Sequence, residues 1–389
     1  MKPRSALRLI TALALIAALF SCTAEGGSIY ATIEKEQKIN VSTLEQLLTI
    51  LDIVKTADGQ FPYLAAAGAV YKGTLPDANN EIGWPIQGKD PIAVSPPASG
   101  ALCLALANYG GAIYGAFFAD GPGMGLYKSA PGPNFSFSVA NGAVAAADPL
   151  VAGKQITLLQ FEPVNNILFA VVATLGSDTS GFKYDLVYST DGVNFTATNL
   201  VGLPDKITGV GFINLNYYVT SGSTLYSGLG PGSLAATGVL GTIASGDELR
   251  GITVDPAVPF APGYILIPSS FGDVYYSTDG VTWIKTGTSD TVNGHQVAFL
   301  TVSARVGHNG PGADFFVIGA DGAGYYTLNV ALNRVDRFSD VTVTGLYAGS
   351  VRKILVDGST VFMGTAGTGL WRATFDPALG QVNSTWIHE

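Results

Sequence analysis

Apolar positions along the chain fall into short runs with strand character, broken by Gly, Asn, Asp and Pro at close intervals. A three-part pattern recurs: an apolar strand ending in a turn, a second strand rich in Phe, Tyr, Ile and Val, then a Gly-rich turn and an aromatic third strand. The third strands read Ala-Val-Tyr71, Gly-Leu-Tyr127, Leu-Val-Tyr188, Thr-Leu-Tyr226, Val-Tyr-Tyr276, Gly-Tyr-Tyr326 and Gly-Leu-Trp371. The second strands centre on Tyr63, Tyr114, Phe169, Tyr218, Ile265, Phe316 and Phe362, at intervals of 51, 55, 49, 47, 51 and 46 residues. First strands are expected at Thr49–Lys55, Gly100–Ala107, Gln155–Phe161, Ile207–Ile213, Leu249–Val254, Val297–Ser303 and Lys353–Val356. Fourth strands are fainter; Asn194–Thr198, Thr282–Thr286 and Ser384–His388 are the best of them.

Seven matches at one period require a repeat architecture. Four antiparallel strands in about 40–50 residues describe a β-propeller blade, and runs that are apolar throughout suit strands covered on both faces. The expected fold is therefore all-β: a seven-bladed β-propeller of four-stranded antiparallel blades over residues 49–389. A pair of β-sandwiches is the competing reading, but it needs a linker near the middle, and no composition shift marks one. Charged residues make up only 13% and glycines number 49, which suits turn-rich strands better than solvated helices.

Residues 1–21 carry Lys2, Arg4 and Arg8 before the apolar run Leu9–Phe20, the layout of a secretory signal too short to serve as a span. Leu19-Phe-Ser-Cys22 resembles the lipobox of bacterial lipoproteins, which implies lipidation of Cys22 as the mature N-terminus. An uncleaved anchor and an ordinary secreted chain are the alternatives. Thr23, rather than Asp, after the cysteine implies outer-membrane or cell-surface sorting by resemblance to enterobacterial rules. Residues 22–48 form a tether and N-terminal segment: Thr23–Ser28 is flexible in composition, Ile29–Ile33 reads as a strand, and Leu44–Leu48 has helical spacing. Ile29–Ile33 is a candidate outer strand for closing the ring.

Removing the signal takes three bases from the chain's net charge of −9 and leaves −12, which disfavours nucleic acid and anionic lipid as partners. Lipidation of Cys22 leaves Cys103 unable to form an internal disulfide, and its apolar setting, Ala101–Ala107, marks it as a small buried hydrophobe. No cofactor or metal is expected. His295, His308 and His388 are scattered, and no paired-Cys or His-Glu-x-x-His spacing occurs. Asp120–Gly125 and Asp321–Gly324 are turn chemistry rather than calcium loops, and the Gly-rich stretches lack the Lys-Ser/Thr of a phosphate cradle.

Two stretches are near copies: Tyr188-Ser-Thr-Asp-Gly-Val-Asn-Phe195 and Tyr276-Ser-Thr-Asp-Gly-Val-Thr-Trp283. Asp-Gly between aromatics is a hairpin signal, because Gly accepts φ > 0 and Asp bonds nearby backbone. Both resemble the Asp-box, or BNR, repeat of sialidase-like propellers, each one residue short of the longer form. The resemblance implies structural roles for Ser189, Asp191, Gly192 and Phe195 and for Ser277, Asp279, Gly280 and Trp283. The aspartates would cap the turns and the aromatics would pack inward. It is nearly silent on function. Relatives of this kind include sialidases, photosystem assembly factors and peptide-binding receptor propellers. The Arg-Ile-Pro segment of sialidases is absent, and only six arginines follow the signal: Arg250, Arg305, Arg334, Arg337, Arg352 and Arg372.

Mapping the repeat gathers a mixed-sign rim where the chain enters the first strands: Lys154, Lys206, Asp247, Glu248, Arg250, His295, Arg352 and Lys353, with Asp205 and Gln296 beside them. The loop Ser177–Asp185 adds Asp178 and Lys183; Phe182 and Phe271 are aromatics able to stack on sugars, with packing between blades as their plainer use. A solvated, self-paired rim is the plain reading of these charges. The functional reading is a non-catalytic platform for an envelope protein, peptide or glycan. The second functional reading is a divergent sialidase-like glycoside hydrolase, with Glu248 or Asp247 as acid/base and Arg250 or Arg352 holding substrate.

Overall fold

The computed structural model describes residues 49–388 except 57–62, 74–92, 131–134, 177–180, 258–261, 293, 309–313, 338–345, 347–348, 377, 379–380 and 383–385. The signal, Cys22, the tether, Ile29–Ile33 and Asp178 therefore lie outside the described residues.

Seven antiparallel sheets follow one another, each with its strands in sequence order. Blade 1 is β1 (Asp52–Lys55), β2 (Tyr63–Ala67), β3 (Ala69–Gly73) and β4 (Ala93–Val94). Blade 2 is β5 (Leu102–Tyr109), β6 (Ala112–Phe118), β7 (Gly125–Lys128) and β8 (Val144–Ala145). Blade 3 is β9 (Gln155–Glu162), β10 (Ile167–Leu175), β11 (Phe182–Ser189) and β12 (Thr196–Ala197). Blade 4 is β13 (Ile207–Ile213), β14 (Asn216–Ser221), β15 (Thr224–Gly228) and β16 (Ala235–Thr237). Blade 5 is β17 (Thr253–Asp255), β18 (Tyr264–Pro268), β19 (Asp273–Ser277) and β20 (Ile284–Gly287), followed by a small hairpin, β21 (Thr291–Val292) and β22 (His295–Gln296). Blade 6 is β23 (Phe299–His308), β24 (Asp314–Ala320), β25 (Tyr325–Asn329) and β26 (Arg334–Arg337). Blade 7 is β27 (Ser350–Asp357), β28 (Thr360–Ala366) and β29 (Leu370–Asp376), with β30 (Gln381–Val382) and β31 (Ile387–His388) both on the outer side of β29.

This is the seven-bladed propeller that the repeat implies, and every second-strand anchor and third-strand aromatic falls in its expected strand. Bounds differ at β17, which starts at Thr253 rather than Leu249, at β23, which runs on to His308, and at β27, which starts at Ser350. Lys183 and Asp185, read as loop, belong to β11.

Both faces of the sheets are apolar because each blade packs on two neighbours. Seven apolar clusters occupy the seven borders; for example, Ile50, Ile53 and Tyr71 of blade 1 meet Phe362 and Leu370 of blade 7. Each fully buried Phe, Leu or Ile there contributes about 1.5–3 kcal/mol. Cys103 is one of these core residues, wholly buried, and burial drives its thiol pKa far up. The ring is closed at the 7–1 border by backbone: Ile50 N donates to Thr365 O at 2.8 Å, and Thr49 bridges Ala366.

Polar side chains on the first strands also clasp the next blade. The Asp52 carboxylate accepts from Leu106 N (2.9 Å), Gln160 Oε1 from Val210 N (2.9 Å) and Asp255 Oδ1 from Arg305 N (2.9 Å). Between blades 4 and 5 the backbones approach closely: a Cβ on Gly209 would collide with the backbone of Gly251 and Ile252. Such a contact needs glycine for space alone.

Candidate functional site: the channel mouth

All seven first strands line a central cavity of about 580 Å³. In five of them the register against the second strand slips by one residue near its start, a β-bulge. The extra residues are Leu104, Thr157, Thr208, Leu300 and Arg352, and every one of them lines the cavity. A bulge leaves one residue outside the ladder and re-aims its side chain. Five of the seven blades thus each deliver one such side chain to the channel, and in blade 7 that side chain is a guanidinium.

Lys154 and Lys206 stand immediately before β9 and β13, Asp247, Glu248 and Arg250 shortly before β17, His295 in β22, and Arg352 and Lys353 in the first part of β27. The structure brings Arg250, Arg352 and Lys353 into the cavity wall. Lys206 stands close enough for the charges of Arg250 and Arg352 to act on it. Its pKa is lowered, first by loss of hydration within the funnel, then by repulsion from those two guanidinium groups. Lys206 is itself exposed, so the hydration loss comes from the concave walls around it rather than from enclosure. Lys154, Lys206, Glu248 and His295 are exposed and outside the cavity wall.

Two of these cations are paired. Lys353 Nζ lies 2.8 Å from Asp52 Oδ1, whose side chain is only 7% exposed; Arg250 Nη2 lies 3.0 Å from the exposed Glu248 Oε2. Asp247, expected on the rim, is instead 1% exposed. Its Oδ1 accepts from Ser270 Oγ and Phe271 N, both at 3.0 Å, so it fixes the turn between β18 and β19. A carboxylate buried in that way faces a turn, not the channel. Phe271 is correspondingly half-buried, whereas Phe182 is 43% exposed.

The two Ser-Thr-Asp-Gly turns lie at the opposite end of the blades. Asp279 Oδ1 accepts from Val281 N (2.8 Å), Thr282 N (2.7 Å) and Ser277 Oγ (2.9 Å), while Ser277 Oγ accepts from Gly280 N (2.9 Å). Asp191 repeats the set with Val193 N, Asn194 N and Ser189 Oγ. These donors stabilise the ionised carboxylates and pull the Asp279 pKa down to about 2, with Asp191 also lowered. Phe195 is buried at the blade 2–3 border, and Trp283 packs edge-on against Tyr218 of blade 4 at 5.9 Å.

Two features carried no sequence signal. At the blade 5–6 border Arg305 is almost buried, with Nη2 2.6 Å from Asp255 and Nη1 3.2 Å from Asp314, beneath the Tyr264 ring. Asp314, fully buried, also accepts from Tyr264 Oη (2.9 Å) and contacts His308 Nδ1 (2.7 Å). The other feature is a second cavity of about 520 Å³ on the face opposite the mouth, among Phe161, Val164, Phe212, Leu215 and Val254. Among the described residues, no group of three or more His, Cys, Asp or Glu is placed to hold a metal.

No known protein family's profile matches the chain, and no curated protein matches its sequence. Solved structures do resemble it in shape. YCF48 from Cyanidioschyzon merolae superposes with a TM-score of 0.51 at 13% identity, over 85% of this chain and 95% of that one. YCF48 bound to D1 peptide gives 0.53 at 14%, over 85% and 93%. Saccharomyces cerevisiae Sqt1 gives 0.53 at 10%, over 90% and 86%. At these identities the likeness concerns the fold: this chain is a seven-bladed β-propeller.

Proposed function

We propose that this chain is a lipid-anchored envelope β-propeller that binds a protein or peptide at the channel mouth without transforming it. The observation that carries this reading is the convergence of the bulged first-strand residues with Arg250 and Lys353 on one funnel. A propeller of similar shape, YCF48, is bound to D1 peptide, which supports a peptide as the kind of ligand the fold accepts.

The hydrolase reading receives less support. Its acid/base pair would be Asp247 and Glu248, adjacent on one loop, whereas glycoside hydrolysis needs two carboxylates flanking the bond at about 5–10 Å. Asp247 is committed to the Ser270–Phe271 turn and Glu248 to Arg250. The Asp-box likeness gains support from the matching bonds in both turns, and it bears on folding rather than on ligand choice. Anchoring at Cys22 rests on the lipobox alone, and incorporation of an alkyne-tagged fatty acid that disappears in Cys22→Ala would establish it.

Side-by-side peptide and glycan arrays probed with the full chain test the binding reading. Selective peptide binding is the expected result. Glycan-selective binding would move the ligand to sugars, and no binding to either by folded protein would remove the platform reading.

A further inference from the structure

We propose that the channel mouth is an oxyanion site, in which Arg352, Arg250 and Lys206 receive a carboxylate or phosphate group of the bound ligand. This rests on the binding reading above and assigns it a ligand chemistry.

The protein carries a net charge of −9, yet Arg250 and Arg352, from blades 5 and 7, line one cavity, and Lys206 stands just before the first strand of blade 4, near enough for their charges to act on it. Among the described residues no carboxylate pairs with Lys206 or Arg352. The nearest candidate in sequence, Asp205, is turned away: its Oδ2 lies 2.7 Å from the Cβ position of Gly222, against the turn between β14 and β15. Arg250 has a partner in Glu248, but both side chains are substantially exposed, at 39% and 53%, and such a pair is worth little and exchanges readily. Lys353 is different. Its carboxylate, Asp52, is buried and also bonded to two backbone amides, so that pair belongs to the scaffold.

Placement adds a second, independent observation. Arg352 occupies the bulge position at which blades 2, 3, 4 and 6 present Leu104, Thr157, Thr208 and Leu300 to the cavity. The blade repeat therefore aims this guanidinium into the channel, where a surface arginine would otherwise extend into water. A guanidinium fork matches two oxygens of a carboxylate or phosphate, and low-dielectric walls concentrate the field of the cluster. Unliganded, the cations repel one another; the Lys206 pKa, lowered first by loss of hydration, is lowered further by the two guanidinium groups. An anion would reverse that repulsion, so binding is expected to raise the Lys206 pKa and to weaken with salt.

Calorimetric titration of the full chain with citrate and with pyrophosphate, at low and high salt, tests the proposal and separates carboxylate from phosphate preference. Arg352→Gln and Lys206→Gln are expected to weaken binding about tenfold, as for loss of a charge-assisted contact, while Lys128→Gln on the outer part of blade 2 leaves it unchanged. Thermal melts confirm that the variants fold, and Arg352→Lys should recover part of the affinity. Absence of saturable binding by the folded wild-type chain, or equal loss in Lys128→Gln, would overturn the proposal. If neither anion binds while array peptides still do, the oxyanion site falls and the binding module stands. If anions bind and no peptide does, the reverse holds.

Discussion

The hydroxyl of Tyr218 donates a 3.0 Å hydrogen bond to the carbonyl of Gly280, across the border between blades 4 and 5. The second-strand aromatic of one blade thus grips the Ser-Thr-Asp-Gly turn of the next. Tyr114 of blade 2 stands in the same place against Gly192 of blade 3. Both glycines have positive φ, +74° and +72°, and a Cβ at either would meet a tyrosine hydroxyl. Gly280→Ala is therefore expected to destabilise the fold by about 2–4 kcal/mol, combining left-handed backbone strain with the displaced tyrosine. Tyr218→Phe, which removes the bond alone, should cost about 1 kcal/mol. Urea midpoints of the two variants check the order.

Asp279 gives the turn a pH signature. Its folded pKa lies at about 2, below the ordinary 3.8, so its stabilisation is fully present above about pH 4 and is lost as the pH falls through about 2. The difference in urea midpoint between wild type and Asp279→Asn should be largest near neutrality and close in that window. A difference that stays constant down to pH 2 would contradict the carboxylate's role.

Arg305 holds two buried carboxylates at the blade 5–6 border. Arg305→Ala leaves Asp255 and Asp314 without their counter-charge and should cost about 3–5 kcal/mol. The cost should shrink in acid, where Asp255, whose pKa burial raises, takes up a proton instead. Thermal melts at pH 7 and pH 4 measure both statements.

Leu215 shows the opposite case, a residue its backbone does not suit. In the Asn214–Leu215 turn both residues have positive φ, +48° and +68°, and Leu215 is 75% exposed. Leu215→Gly should raise stability by up to about 1 kcal/mol, since Asn-Gly fits this turn and little apolar contact is lost. A rise in melting temperature of a few degrees is the readout.

Much of the scaffold was legible because it repeats. Tyr71, Tyr127, Tyr188, Tyr226, Tyr276, Tyr326 and Trp371 announce the third strands, since packing on both faces selects large aromatics there. The outermost strands were faint because β4, β8 and β12 are two residues long and carry little of the core. The rim positions of Arg250, Arg352 and Lys353 followed from the repeat, but which of them pair with a carboxylate among the described residues did not. That depends on Asp52 and Glu248, and pairing is a matter of geometry. Asp247 looked like a solvated acid because composition does not reveal that a turn closes over it. Arg305, Asp255 and Asp314 are separated by sequence and joined only when blades 5 and 6 meet. The bulges were hidden as well, because a single extra residue in an apolar strand leaves the pattern almost unchanged.

The central claim, that the mouth is the working face of the propeller, is tested most directly by position-resolved crosslinking of the full chain in the cells that make it. A photoreactive residue is placed at Lys154 or His295 on the rim, and at Val164 or Leu215 on the opposite face. The account predicts a discrete adduct from the rim positions that weakens in Arg352→Gln, and none in common with the opposite face. A discrete adduct from Val164 or Leu215, with the rim silent, would contradict it and move the working surface to the apolar cavity there.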